Sequence, residues 1–130
     1  VTVGLSTANL ANKWLDMLGG TAFSAPANTY VKLHTGDPGS AGTSNASAET
    51  TRKVLTWSAA ASGSKAITTT LPSWTPWAAG SETISHVSVW DAASSGNFLY
   101  SFALSSSKAV SNGDTFNITS HSISQTPLAA

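Results

Sequence analysis

The chain has 130 residues and a mass of 13.2 kDa, enough for one domain with a single core and too little for two. Six basic and six acidic residues cancel, and charged residues make up only 9% of the chain, well below the roughly 25% usual for soluble domains. A neutral chain without a basic patch argues against nucleic acid and anionic membrane as partners, and the absence of cysteine excludes disulfides and thiolate metal sites. Weak repulsion between copies suits a subunit of an assembly.

At the start, no basic segment is followed by an apolar one, and no run of about 18 apolar residues occurs, so neither an export signal nor a membrane span is expected. Ser6 or Thr7 can cap a helix over about 7–18. Leu10, Ala11, Trp14, Leu15 and Leu18 recur at steps of three and four, and Gly19 and Gly20 supply the stop. The stripe predicts a helix lying on a sheet.

From residue 30 the period becomes two. Residues 30–35 place Val31 and Leu33 on one face, with Lys32 and His34 on the polar side, and residues 53–58 align Leu55 with Trp57. Between them, about 36–51, runs a long Gly/Ser/Ala/Thr loop almost free of large apolar side chains. It opens with a turn at Asp37-Pro38-Gly39, where proline fixes φ and glycine permits a positive one. An ordered loop of this kind needs a surface to lie on, either its own sheet or a neighbouring subunit. We expect the second, and mark Asp37, Pro38 and Gly39 as a subunit or glycan contact.

Residues 65–71 read as a short strand. Residues 83–90 alternate Ile84, His86, Ser88 and Trp90 against Val87 and Val89; a turn over 91–97 follows, and Phe98, Tyr100, Phe102 and Leu104 continue at two-residue steps. This is the strongest hairpin signal. Ser111-Asn112-Gly113-Asp114 is a second turn before a strand over 115–123 with Phe116 and Ile118 on one side. At least six closely spaced strands and one helix predict a mostly β fold, an antiparallel β-sandwich of jelly-roll-like or Ig-like type with one N-terminal α-helix, spanning 1–130 as a single domain.

Candidate chemistry is sparse. His34 and Asp37 are near in sequence, but no Gly-x-Ser-x-Gly elbow accompanies them, and His86 and His121 lie on different strands without metal-ligand spacing. No phosphate-binding glycine motif occurs, so no catalytic residue, cofactor or metal is expected. The sequons Asn45-Ala46-Ser47 and Asn117-Ile118-Thr119 are expected by chance in a Ser/Thr-rich chain. Of the five tryptophans, Trp14 and Trp57 fall on apolar faces and are expected in the core. Trp74 and Trp77 sit among prolines, where they either plug the end of the sandwich or present flat rings to a partner subunit or a host-surface glycan. Plugging is favoured, and near-complete burial within one chain would leave binding without support.

Several runs together resemble a family of small tailed-bacteriophage virion proteins commonly labelled tail fibre or minor tail proteins. They are ValLysLeuHisThrGlyAspProGly at 31–39, Gly42-Thr43, Thr51-Arg52, GluThrIleSerHisValSerValTrpAspAlaAlaSerSerGlyAsnPheLeuTyr at 82–100 and SerSerSerLysAlaValSerAsnGlyAspThrPhe at 105–116, with LeuAspMetLeuGlyGlyThrAlaPhe at 15–23 fitting the same pattern. The resemblance implies a non-enzymatic virion component made in the bacterial cytoplasm. Its expected partners are other virion proteins and copies of itself, as a trimer by analogy, with host glycan a further partner. A capsid decoration protein and a carbohydrate-binding β-sandwich are the alternatives.

Overall fold

The computed structural model describes residues 3–129. Ser6 starts the helical segment, its hydroxyl accepting from the Asn9 amide at 3.3 Å. A π-helical turn, Thr7–Ala11, runs into helix α1, Asn12–Leu18. Gly20, at φ 88°, closes α1, with the Thr21 amide reaching back to the Asp16 carbonyl and the Gly20 amide to that of Met17. Helical backbone runs from Thr7 to Leu18, with only Asn12–Leu18 of it α-helical, and the predicted burial of the stripe does not extend along it: Leu10 is buried, whereas Leu15 and Leu18 are 65% and 82% exposed. The stripe reaches the sandwich through Leu10 and the half-buried Trp14, and leaves it at Leu15 and Leu18.

Eight strands follow: β1 Thr29–His34, β2 Lys53–Leu55, β3 Ser64–Ala66, β4 Ser73–Trp74, β5 Glu82–Trp90, β6 Phe98–Val110, β7 Phe116–Asn117 and β8 Ser122–Ser124. Four form the main antiparallel sheet in the order β2-β1-β5-β6, and the ribbons β3-β8 and β4-β7 make up the rest. The fold is thus mostly β with one short N-terminal helix, as expected, although the strand predicted over 115–123 is broken into β7 and β8 and a strand, β4, falls within the proline-flanked Trp74 segment.

Register sorts the main sheet into two faces. Val31 pairs with Val89 and Leu33 with Val87, and in turn Val89 pairs with Tyr100 and Val87 with Phe102. This face meets Trp74, Trp77, Phe116 and Ile118 in the core. The opposite face carries Lys32 and His34 of β1 beside Ser88 and His86 of β5.

Two irregularities alter the predicted alternation. A register shift between Ile84 and His86 turns Ile84 into the core with Val87 and Val89, so it does not share a face with His86 as its spacing implied. A second shift between Val89 and Trp90 pairs Phe98 with Trp90 on the other face, separating it from Tyr100 and Phe102. The hairpin between the strands is held by Asp91, whose carboxylate accepts from the Asn97 amide at 2.7 Å and the Asn97 side chain at 2.8 Å, while Gly96 takes φ 73°.

Candidate functional site

The long loop proves to cover its own sheet. The expectation that it lies on another subunit is corrected by three contacts with the face opposite the core. A Cβ on Gly42, which sits at φ 70°, would come within 2.3 Å of the Phe98 ring, so backbone lies directly on that ring. The Arg52 guanidinium stacks 4.0 Å from the centre of the Trp90 ring and donates to the carbonyls of Ala92 at 2.8 Å and Ser95 at 2.7 Å. The Ser44 carbonyl meets His34 at 2.8 Å. Residues 45–47 then return to β1: the Thr35 amide donates to Asn45 and the Ser47 amide to Leu33. Small residues are what allow this backbone to lie so close.

His34, which shares the polar side of β1 with Lys32 as expected, is fully buried there. Burial holds its imidazole below the ordinary range, against the pull of the Ser44 carbonyl and with Lys32 and His86 adding to the depression. The neutral ring has one N–H. Since a carbonyl can only accept, Nδ1–H donates to Ser44, and Nε2 accepts from the Ser88 hydroxyl at 2.7 Å. That hydroxyl in turn accepts from the Trp90 indole N–H at 2.8 Å. Ser88 beside His34 has the outline of a nucleophile and its base, yet both are buried and every polar atom of the pair is engaged. The Asp37 carboxylate is spent elsewhere, accepting from the Gly39 amide at 2.8 Å. The arrangement fastens a loop and offers no approach to a substrate.

The predicted contact residues do not come together. Asp37 and Gly39 are half-buried in the loop and Pro38 is buried; Gly39 takes the expected positive φ of 71°. Trp74 and Trp77 lie on the core side of the main sheet, 2% and 1% exposed. Trp74 donates to the Thr51 carbonyl at 2.8 Å and meets Phe116 edge to face, and Trp77 donates to the Gly80 carbonyl at 2.8 Å. Their rings therefore plug the sandwich and offer no flat face for glycan stacking.

Trp14 and Trp57 pack against the core but stay half-buried. Together with Phe23 they line a cavity of about 690 Å³ beside α1. Sequence reading missed this place, because an apolar face says which residues point inward and nothing of how completely they are covered. His121 also joins an aromatic group: it stacks on Phe102 with ring centres 3.9 Å apart and its Nε2 lies 2.9 Å from the Tyr100 hydroxyl. Burial lowers the His121 pKa to about 4 and raises that of Tyr100, so a phenol O–H donates to a neutral imidazole. Among the described residues, no three His, Cys, Asp or Glu side chains come together in a group able to hold a metal ion, and no helix is long and apolar enough to cross a membrane.

The family described as podophage GP4 fiber I protein gp80 matches residues 4–126, which take in the helix, both faces of the sheet and both ribbons. The chain belongs to this family. It is a family of phage fibre proteins, as the resemblance to tail-fibre-type virion proteins implied, and membership implies a virion protein with a structural role. Among curated proteins, a search finds no match.

Proposed function

We propose that the chain is a non-enzymatic structural domain of a phage tail fibre or minor tail component, serving tail assembly or contact with the host surface, with copies of itself and other virion proteins as partners. The observation that carries this reading is the match to a phage fibre family over residues 4–126, which leaves no part of the sandwich outside the family. The geometry supports it: the Ser-His pair that could have suggested hydrolysis is sealed and saturated. An exterior rich in Ser, Thr and Ala with balanced charge suits packing among subunits.

Gold-labelled antibody against the chain, viewed by electron microscopy on intact particles, tests the reading. Label on tails supports it. Label confined to heads overturns it in favour of capsid decoration.

A further inference from the structure

The cavity beside α1 gathers three aromatic rings, Trp14, Phe23 and Trp57, that the chain covers only in part. Its volume, about 690 Å³, falls within the range typical of small-ligand sites. The floor is buried core, with Leu10, Leu55 and Leu99. The sides are the half-buried rings of Trp14, Phe23 and Trp57. Trp57 cannot swivel freely to fill the space, because its indole N–H is held by the Thr29 hydroxyl at 2.8 Å. Exposed Asn28, Lys65 and Gln125 line the same cavity, adding two amides and one ammonium group.

We propose that this cleft binds a pyranose unit of a bacterial surface glycan. The inference rests on the host-contact reading above and gives it a place and a ligand class. An aromatic face is electron-rich and attracts the polarised C–H bonds of a sugar ring, which an apolar floor also shelters from water. The other side of the sugar presents adjacent hydroxyls, each both donor and acceptor. Amide side chains match them, since each amide offers a carbonyl oxygen and an NH₂ group. A purely apolar ligand would cover Asn28 and Gln125 without giving them partners, at a cost in desolvation. A strongly anionic ligand would find one cation, Lys65, among the charged side chains of the lining. Charge, shape and polar lining together favour a sugar with few or no negative groups.

Saturation-transfer NMR on the whole chain tests this, with glucose, galactose, mannose, rhamnose, N-acetylglucosamine and the peptidoglycan disaccharide as probes. We expect saturation of the protein to reach the ring C–H protons of at least one sugar. Asn28→Ala and Gln125→Ala, both at exposed positions, are each expected to weaken that binding roughly fivefold to tenfold, with the thermal midpoint unchanged. Trp57→Ala is expected to abolish it, but the two amide variants carry the test because Trp57 also holds Thr29. No transfer to any of the six sugars overturns the proposal, as does binding unchanged in the Asn28→Ala/Gln125→Ala double variant. Tail labelling without sugar binding removes the cleft proposal and leaves the fibre reading; head labelling with sugar binding removes the fibre reading and leaves the site.

Discussion

The loop-covered face and the cleft beside α1 both present tryptophan near the end of the main sheet, and the chain treats them in opposite ways. On the covered face, Trp90 lies under Arg52, Phe98 lies under the backbone of Gly42, and the indole, hydroxyl and imidazole of Trp90, Ser88 and His34 form one closed line of hydrogen bonds ending on Ser44. In the cleft, Trp14, Phe23 and Trp57 remain half-buried, and the Trp57 N–H is answered while its ring is covered only in part. A polar chain with a modest core can cover an aromatic face with backbone, provided the residues are small enough to approach. Where it uses such a loop it makes structure, and where it leaves rings open it leaves a surface for something else.

The largest expected effect breaks the covered side. Gly42→Val places a branched side chain where a Cβ would already fall 2.3 Å from Phe98, at φ 70°. Overpacking and left-handed strain together should cost about 4 kcal/mol, read as a shift in the urea midpoint. A midpoint unchanged from the parent would mean that the loop does not press on Phe98. Next is His34→Leu, similar in bulk but without ring nitrogens. It leaves the Ser44 carbonyl and the Ser88 hydroxyl without their partner, and about 2–3 kcal/mol should be lost in the same assay. Stability equal to the parent would show that the hydrogen-bonded line contributes nothing net.

Much of this contrast was readable from the residues, and the rest was hidden for definite reasons. Alternation at Val31 and Leu33, the 91–97 turn, the capping serine and the closing glycines all rest on short-range backbone chemistry, and each appears where expected. The placement of Ile84 was not readable, because a shift in register reverses faces without any mark in the hydrophobic pattern. The burial of His34 was not readable either, because Lys32, two residues away, marks its side of the strand as polar. The cover supplied by Ser44 comes from a loop whose path small residues permit but do not specify. Plugging by Trp74 and Trp77 was the favoured reading, while the half-open state of Trp14 and Trp57 depends on neighbours distant in sequence, such as Ile123 and Leu99.

Acid should act through His34 on the covered face and through His121 in the aromatic group with Phe102 and Tyr100, with a smaller effect. His121 has a folded-state pKa near 4, against about 6.5 when unfolded. Between those values the unfolded chain binds more protons, so stability rises with pH there. The contribution is complete above about pH 6.5, declines as pH falls, and is gone once pH passes below about 4. Allowing for partial exposure, this is on the order of 1–2 kcal/mol. His34 is displaced in the same direction and adds to the same loss. His121→Phe keeps a flat ring against Phe102 while removing the titration, so thermal midpoints measured from pH 7 to pH 4 should fall less steeply than in the parent. Identical slopes would mean that His121 is not held neutral by the aromatic group.

The smallest effect is expected at the open side, and its smallness is informative. Leu18 is 82% exposed at the end of α1, so Leu18→Ser removes little buried surface and should change stability by less than about 0.5 kcal/mol. Leu10, on the same helical stripe but 6% exposed, is the internal comparison: Leu10→Ala should cost about 2–4 kcal/mol because it leaves a cavity against the core. The ratio between the two measures how abruptly the helix leaves the sandwich. Repeating the thermal melts at several protein concentrations separates the isolated fold from an assembly. If Leu18→Ser is neutral at low concentration but destabilising at high concentration, a second copy covers the end of α1, since association stabilises only the state that associates. A cost above about 1 kcal/mol that does not vary with concentration would instead mean that Leu18 packs within its own chain, and the division between a sealed face and an open one would have to be redrawn at α1.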